Sequence, residues 1–258
     1  MRSAHSSCLF FQLLLLGDAF SYSKVIDLTW EYDANTLYWP GVARFSFTKV
    51  TEGEERGFWY AMKEFCTGEH GGTHLDAPYH FNKEGWKVAE IPVDRLVGKG
   101  TTIDLADESE HSGKELKKLE VSHLENWESV NGPFEPGSIL LVDFGRAKYW
   151  RENAFKYLES DDRQTFNTPG LSDEAARWIA SSGKFYGIGL DAPSVDPGNS
   201  TTMMVHRILA KEQIFNLENV NLTKKLPAKN FTIIVAPMKI ADGTGAPVRI
   251  FAIVNSVL

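Results

Sequence analysis

Hydrophobic residues along this chain recur in short runs or alternate with polar residues, a spacing that predicts more β-strands than helices. Residues 138–143 form a continuous apolar run, which is typical of a strand buried on both faces, and residues 185–191 resemble it. Residues 45–50 alternate instead, as expected of a half-buried strand. Strands are predicted at residues 25–30, 45–50, 58–65, 101–105, 138–143, 185–191, 233–235 and 248–254.

Helical spacing of apolar residues occurs in a few segments between these strands. Ser172 is a suitable N-cap for an amphipathic helix that Gly183 ends. Ser122, with Glu125 three residues later, matches a capping box. Helices are predicted at residues 122–130, 152–158, 173–182 and 203–213. Because strands and helices mix without strict alternation, the sequence predicts an α/β or α+β domain with a mixed sheet.

Length and composition narrow the class of protein. A chain of 258 residues suits one large domain, and 43% hydrophobic with 24% charged residues is ordinary for a globular protein. The formal net charge of −7 argues against a general nucleic-acid binder or a protein of anionic membrane surfaces. We therefore expect neither nucleic acid nor, once the N-terminal segment is removed, a membrane as a partner.

The first residues match a secretory signal peptide rather than part of the fold. Arg2 gives a positive start, residues 8–17 are apolar, and Ala19-Phe20-Ser21 fits a small-x-small cleavage site. The apolar run is shorter than the roughly 20 residues that a membrane-spanning helix needs. We predict a signal peptide at residues 1–21 and a single domain at residues 22–258, with a retained membrane anchor as the alternative.

Three Asn-x-Ser/Thr triplets support the prediction of a secreted, extracellular protein. They begin at Asn199, Asn221 and Asn230, and each is a potential N-glycosylation site. One such triplet arises often by chance, whereas three together add weight. All three asparagines are therefore predicted as possible glycan acceptors.

The two cysteines predict a mature protein without an internal disulfide. Removal of the signal peptide would take Cys8 away and leave Cys66 alone. Burial and metal binding, rather than cross-links, would then stabilise the core. We expect Cys66 to be a small buried hydrophobe, with a nucleophilic role as the alternative.

The densest candidate chemistry lies in residues 70–80, HGGTHLDAPYH. This stretch holds His70, His74, Asp76 and His80, all at even offsets from one another. In an extended segment, even offsets place side chains on one face. Successive positions on that face are roughly 7 Å apart, so the chain must bend before these groups can share a metal.

Glycine and proline supply such bends on both sides of the short segment. Gly71-Gly72 precede it and Ala77-Pro78 follow it. Imidazole and carboxylate together suit zinc, manganese or iron(II). A single histidine is more often a satisfied surface or core residue than a ligand. Four such groups in one glycine- and proline-punctuated run favour a metal site instead.

The same stretch resembles a known family signature. HGGTHLDAPYHF at residues 70–81 is similar to the HxGTHxDxPxHF motif of the metal-dependent cyclase-like hydrolases, which include bacterial-type kynurenine formamidases and isatin hydrolases. Four further segments are similar in the expected order, at residues 25–41, 187–198, 206–219 and 239–253. The resemblance covers nearly all of the chain after the signal peptide.

This resemblance implies a fold, a ligand set and a cofactor. The fold is expected to be the swivelling β/β/α type with a mixed sheet, usually in a homodimer. The implied metal ligands are His70, His74, Asp76, His206 and Glu218, and the implied catalytic residue is His80. Glutamate at the position of Glu218 resembles the two-zinc members, whereas glutamine there accompanies a single manganese. Two Zn²⁺ per subunit are therefore expected, with Mn²⁺ as the alternative.

The implied second ligand pair requires a break in the last predicted helix. In one continuous helix, His206 and Glu218 would stand about 18 Å apart and could not meet at a metal. If both serve the site, the helix must end between them. Asn216 is a plausible stop.

The expected reaction is hydrolysis of an amide C–N bond. A metal held by imidazole and carboxylate activates water near neutral pH and stabilises the developing oxyanion. An unligated His80 would shuttle the proton to the leaving nitrogen. The resemblance points to a small aromatic amide such as N-formylkynurenine, with a cyclic amide or lactone of the isatin type as the alternative. A second class also stays open, a secreted binding protein on a hydrolase scaffold.

Aromatic residues provide candidate pocket walls. Trp39, Phe58, Trp59 and Tyr60 could line a pocket for an aromatic substrate, although each taken singly could equally belong to the core. Trp30 stands where the family often has histidine. A contact near the site is therefore expected to differ from that of the family.

Overall fold

A mixed β-sheet that closes on itself organises the protein. The computed structural model describes residues 23–106, 117–160 and 166–255. The strands are β1 (Ser23–Asp27), β2 (Ser46–Glu55), β3 (Phe58–Cys66), β4 (His74–Asp76), β5 (Val97–Asp104), β6 (Lys118–Leu119), β7 (Ser138–Asp143), β8 (Gly170–Leu171), β9 (Phe185–Leu190), β10 (Phe215–Glu218), β11 (Phe231–Pro237) and β12 (Gly245–Asn255). The α-helices are α1 (Val121–Asn131), α2 (Ala154–Leu158), α3 (Asp173–Ser182) and α4 (Met204–Lys211).

Seven strands form the ring in the order β12-β11-β5-β7-β9-β10-β4, and β4 pairs with β12 to close it. β5, β7, β9 and β10 run parallel to one another, while the pairs that involve β4, β11 and β12 are antiparallel. β1 pairs antiparallel with the C-terminal half of β12, outside the ring. This arrangement confirms the predicted α/β class with a mixed sheet.

Alternation along the central strands separates two hydrophobic layers. On β7, Leu140 and Val142 belong to a cluster with α1, α3 and α4, while Ile139 and Leu141 belong to the cluster that includes β4, β11 and β12. All of these side chains are fully buried. A strand covered on both faces reads as a continuous apolar run, which explains why the sequence located β7 to the residue.

A hairpin of β2 and β3 stands apart from the ring. The two strands pair only with each other, and the residues of β3 are all exposed. The predicted half-buried strand at residues 45–50 is therefore wrong in its burial. Cys66, at the end of β3, is also exposed, so its predicted burial is wrong. The sequence pattern is that of a core strand, but no layer within the described residues covers the hairpin's apolar side chains.

Two predicted helix ends move in the structure. The helix α1 begins at Val121, and the N–H of Glu120 donates to Nδ1 of His123, so this pair replaces the predicted box of Ser122 and Glu125. The helix α4 ends at Lys211, before the turn at Gln213 with its positive φ. Asn216, the predicted stop, instead lies in β10. By contrast, α3 has Ser172 and Gly183 at its ends, as predicted.

The predicted signal peptide, residues 1–21, lies outside the described residues and stays a prediction, as does the domain boundary at residue 22. Across the described ranges, no helix is long and apolar enough to cross a membrane.

Candidate metal centre

The pairing of β4 with its neighbours sets the first part of the site. β4 lies between β10 and β12, and its register places Glu218 directly opposite His74 and Asn216 opposite Asp76. His74 and Asp76 point to one face, while Leu75 between them is buried in the core on the other. Cross-strand pairing therefore brings a carboxylate from β10 to the imidazole and carboxylate of β4.

A glycine bend brings His70 to the same point. A Cβ atom on Gly71 would lie 2.0 Å from the ring of Tyr38, and Gly72 has a φ of +58°. Both positions therefore require glycine, one for space and the other for its left-handed backbone. This confirms the bend that Gly71-Gly72 predict, and the bend turns the His70 ring towards Asp76.

The helix α4 supplies His206, and an aspartate fixes it there. Asp196 accepts hydrogen bonds from the backbone N–H groups of Val205 and His206 at 3.1 and 3.0 Å. The same carboxylate accepts from His206 Nδ1 at 2.7 Å. Asp196 thereby holds both the first turn of the helix and the ring, and it leaves Nε2 of His206 facing the site.

The structure thus gathers the five predicted ligands into two trios that share one residue. His70, His74 and Asp76 form the first trio, and Asp76, His206 and Glu218 form the second. Within each trio, one potential ligand atom per residue lies within 4.8 Å of the others. Asp76 has two carboxylate oxygens, so it can face a cation in each trio.

Hydrogen bonds on the far side of each ring leave one nitrogen of every histidine available. The carbonyl of Gly72 is an acceptor, so Nδ1 of His74 must donate to it, at 3.0 Å. Thr244 Oγ1 donates to Glu69 Oε2 and accepts from Nε2 of His70 at 2.8 Å. Together with the bond to Asp196, these contacts select the tautomers that metal-binding histidines adopt.

Two observations indicate that a cation belongs in this cluster. His74 Nε2 and Asp76 Oδ2 are buried and make no hydrogen bond. Nδ1 of His70, left without a proton, lies 2.7 Å from Asp76 Oδ1, and two acceptors this close repel unless a cation or proton lies between them. The donor set of imidazoles and carboxylates therefore fits a divalent metal such as zinc.

The electrostatics of the cluster fit the same conclusion. Burial opposes protonation of His74, but Asp76 and Glu218 outweigh it and raise the pKa of His74 to about 9. Burial and the nearby Asp76 raise the pKa of Glu218. Burial works against ionisation of Asp76, yet the surrounding histidines hold its pKa well below the usual range. Without a metal, the site therefore takes up protons as substitutes for cations.

His80 lies beside the ligands but belongs to neither trio. It ends a 3₁₀-helix at Pro78–His80, and its ring stacks on His70 with centroids 3.9 Å apart. Part of the residue is exposed at the mouth of the site, although stacking withdraws the ring from water. This desolvation lowers the pKa of His80 to about 4. The charge of Asp76 acts in the opposite direction, and the nearby imidazoles add to the lowering. The ring is therefore neutral at pH 7 and can accept a proton.

A largely apolar cavity of about 230 Å³ opens above the cluster. Its walls include Leu37, Trp39, Val42, Leu158, Phe166 and Met203, and its floor is formed by the ligands. Trp39 packs edge-on against Phe166 with ring centroids 4.6 Å apart, so its predicted place in a pocket is confirmed. Phe58, Trp59 and Tyr60 do not line the cavity but lie exposed on β3. For these three, both predicted locations are wrong within this subunit.

Sequence reasoning missed several residues that orient the ligands. Asp196 lies in a segment whose resemblance to the family was noted, and an acid shortly before a helix with histidine is a detectable signal. Thr244 lies in the family-like segment at residues 239–253, but no local pattern marks it as the partner of His70. The expected difference from the family near Trp30 stays a prediction. In the structure the backbone N–H of Trp30 donates to Thr73 Oγ1, and its ring stacks on Trp150 with centroids 5.7 Å apart.

Relatives and solved structures agree with this geometry. A family model described as a cyclase matches residues 26–197. A kynurenine formamidase of Bacillus anthracis is 30% identical over 227 residues, which cover 88% of this chain and 96% of the relative. An isatin hydrolase of Roseibium aggregatum is 29% identical over 215 residues, which cover 80% of each chain.

The fold is similar to solved isatin hydrolases. The crystal structure of one, bound to the product analogue thioisatinate, has a TM-score of 0.81 and 27% identity, and the match covers 91% of this chain and 93% of that one. Isatin hydrolase A from Ralstonia solanacearum has the same TM-score at 26% identity, with 90% and 92% covered. On the family match, the relatives and the shared fold, the chain belongs to the cyclase family of metal-dependent hydrolases.

Proposed function

We propose that this protein hydrolyses an amide C–N bond of a small aromatic substrate, as the kynurenine formamidases named among its relatives do. The observation that carries the proposal is the pair of trios joined by Asp76 at the floor of an apolar cavity. Relatives at about 30% identity over most of both chains support the same class of reaction.

Two zinc ions per subunit suit the ligand set best, with manganese as the alternative. One ion would be held by His70, His74 and Asp76, and the other by Asp76, His206 and Glu218. Two trios with one carboxylate in common match the two-metal arrangement of many hydrolases. Three of the five ligands are imidazoles, and this favours zinc over a purely oxygen-seeking cation.

A bound divalent metal would supply Lewis-acid polarisation and an activated water near neutral pH. The chain's own groups would do the rest of the work. His80 lies beside the two trios and belongs to neither, so its ring could accept a proton at the water side and return it to the leaving nitrogen. Stacking on His70 orients that ring for both transfers. The apolar walls would hold an aromatic ring and exclude bulk water.

A cyclic amide or lactone of the isatin type is the second candidate substrate. The cavity walls are predominantly aliphatic and aromatic, which suits a compact neutral ring system. The similarity in fold to isatin hydrolases supports this candidate as well. N-formylkynurenine and isatin both carry the amide carbonyl on a nitrogen that is attached to an aromatic ring, so one cavity can present either to the same floor.

We also propose that two copies of the chain pair through the β2–β3 hairpin. Large apolar side chains lie on both of its faces, with Trp59, Phe65 and Phe47 on one and Phe58 and Tyr60 on the other. A two-stranded ribbon is marginally stable alone in water, and an exposed apolar patch of this kind marks an interface. Lys49–Glu64 and Lys63–Glu52 form ion pairs and the hairpin carries little net charge, which suits a second copy rather than a strongly charged partner.

We further propose that the protein is secreted and glycosylated. Asn199 and Asn230 are exposed, so they are better placed than Asn221 to accept a glycan. Asn221 is half-buried, and its side-chain oxygen accepts a hydrogen bond from Thr223 Oγ1 at 2.6 Å. Expression in a secreting eukaryotic cell followed by glycosidase treatment tests this, and a product that stays in the cell would contradict it.

The test of function combines metal analysis with hydrolysis of N-formylkynurenine and of isatin. Wild type should bind zinc stoichiometrically and hydrolyse at least one substrate. His80→Ala should keep its zinc and lose about 10²–10⁴-fold in kcat. His123→Ala is the matched control. It also replaces a histidine by alanine, but in the N-terminal cap of α1, so the variant should keep its activity.

Each outcome separates one part of the proposal from another. Zinc without hydrolysis of either compound would overturn the catalytic assignment and favour the binding protein. Hydrolysis of isatin alone would replace the first candidate substrate with the second. Absence of bound metal would overturn the site itself.

A further inference from the structure

Asn219 occupies an unusual position directly after the ligand Glu218. Its φ is +54°, in the left-handed region that favours glycine, although asparagine adopts it more readily than most residues. It is buried, with an exposed fraction of 3%. A buried polar residue in this conformation indicates that its side chain has a specific task.

All four hydrogen-bonding groups of Asn219 are engaged. Its backbone N–H donates to Ala192 at 2.9 Å, and its carbonyl accepts from Thr73 Oγ1 at 2.8 Å. Its side-chain Nδ2 donates to the carbonyl of Gly72 at 2.8 Å. Its Oδ1 accepts from the hydroxyl of Tyr157, also at 2.8 Å. One residue therefore contacts the glycine bend, the loop after β9 and the helix α2.

The contact with Gly72 reaches the ligands of the first trio. The same carbonyl accepts the Nδ1 proton of His74, so Asn219 and His74 share one acceptor. The position of that oxygen decides both the tautomer and the rotation of the His74 ring. Asn219 is thus linked to Glu218 by a peptide bond and to His74 through the carbonyl of Gly72, which accepts a hydrogen bond from each.

The contact with Tyr157 anchors this arrangement to rigid packing. Tyr157 is fully buried, and its ring packs edge-on against Trp150 with centroids 5.0 Å apart. Trp150 stacks on Trp30, whose N–H donates to Thr73, and Thr73 in turn donates to the carbonyl of Asn219. The chain of contacts therefore returns to its starting residue.

We propose that Asn219 is a positioning residue that sets the separation between His74 of the first trio and Glu218 of the second. It does so by tying the bend before β4 to the end of β10, with Tyr157 as its anchor. The inference rests on the proposed metal site. If this is right, metal affinity depends on Asn219 as well as on the five ligands, although Asn219 is not itself a ligand.

Two substitutions isolate the side chain of Asn219 from its backbone. Asn219→Gly keeps the left-handed conformation and removes both side-chain bonds. Asn219→Asp keeps the acceptor for Tyr157 but turns a second acceptor towards Gly72. Both variants should bind zinc about 10–100-fold more weakly in chelator competition, the range for groups that orient metal ligands. Tyr157→Phe should weaken binding in the same direction but less.

Leu124→Ala is the control for general destabilisation, because it removes core packing under α1, a helix that supplies no ligand. The measurement is made well below the melting temperature of every variant. If Leu124→Ala loses as much stability as Asn219→Gly yet keeps wild-type zinc affinity, the positioning role is supported. A kcat that falls while KM changes little would support it further.

The failure of this inference differs from failure of the proposed function. If wild type binds no zinc, the metal site is wrong. If wild type binds zinc and both Asn219 variants bind it equally well, the positioning role is wrong. Equal loss of affinity in Leu124→Ala would also overturn it, since general destabilisation would then explain the effect.

Discussion

Two adjacent regions of the chain invert the usual distribution of side chains. The metal cluster buries two histidines and two carboxylates and half-buries a third histidine, whereas the β2–β3 hairpin, which ends four residues before His70, exposes a row of aromatic side chains. Buried polar groups and exposed apolar patches are the informative exceptions to ordinary burial. The buried polar cluster fits the cation that we propose, and the exposed apolar hairpin fits the proposed second copy of the chain.

The two regions differ in how completely their groups are satisfied. Around the cluster, each histidine has a hydrogen bond on its far side and leaves only the inward atoms without partners. The hairpin has cross-strand pairing and two exposed ion pairs, but it lacks a covering layer in the described part of the subunit. The ligand side chains are thus already oriented to bind a cation, whereas the hairpin provides only exposed apolar surface.

Removal of the shared carboxylate should have the largest effect. Asp76→Ala takes a ligand from both trios, so we expect loss of zinc and a fall in activity of about 10³-fold or more. Metal analysis and a hydrolysis assay measure both. Asp242→Ala, at a carboxylate that is 87% exposed, is the control. Retention of stoichiometric zinc in Asp76→Ala would show that the trios do not hold the metal.

Charge placed on the hairpin should dissociate the dimer. Trp59→Lys sets a cation where a large aromatic side chain would be buried, so we expect the dimer Kd to rise at least about 30-fold. Sedimentation across a concentration series measures it. Val130→Lys on α1 replaces an isolated residue that is 83% exposed and should leave assembly unchanged. If wild type is already monomeric, the hairpin needs a different partner.

Loss of the aspartate behind His206 should have a smaller effect on metal binding. Asp196→Asn removes the charge that accepts the Nδ1 proton, so zinc affinity should fall about tenfold. Chelator competition provides the measurement, and Asp33→Asn in an exposed loop is the control. Unchanged affinity would mean that helix α4 alone orients the ring.

The smallest effect concerns a buried acidic pair away from the ligands. Burial raises the pKa of Asp191 to about 7, and the charge of Asp143 adds to this effect. Hydrogen bonds from three backbone N–H groups act in the opposite direction. Asp143 itself faces Asp104 and Lys225. A raised carboxyl pKa means that the folded state binds more protons than the unfolded one between about pH 4 and pH 7, so stability falls as pH rises through that window.

Asp143→Asn should reduce this penalty because it removes the charge facing Asp191. Relative to wild type, the variant's free energy of unfolding should improve by about 1 kcal/mol between pH 6 and pH 8. Urea unfolding of zinc-loaded protein at both values measures the difference. A difference that stays constant with pH would contradict the coupling.

Local sequence patterns predicted the elements whose environment is ordinary. The apolar run of β7 and the capped helix α3 were predictable because burial on two faces and capping leave marks within a few residues. The first trio was equally accessible, since His70, His74 and Asp76 lie close together in the chain. Glycine and proline on either side indicated the necessary bends.

Other features depend on pairing between distant segments. The meeting of His74 with Glu218 follows from the register of β4 against β10, which no local pattern encodes. Family resemblance predicted that pair, whereas the orienting contacts of Thr244 and Asn219 needed coordinates. The exposure of Trp59 also escaped sequence reasoning, because an aromatic strand in a core and one at an interface have the same composition.

The closure of the ring has a consequence for the order of events during folding. Asn219 and Gly72 are 147 residues apart in the sequence, and their contact forms only once β4 has inserted between β10 and β12. Contacts of such long range form slowly because loop closure costs entropy before they stabilise anything. A divalent metal bound by the two trios would therefore meet its complete ligand set only in a nearly finished molecule. Metal binding of this kind retards unfolding much more than it accelerates folding.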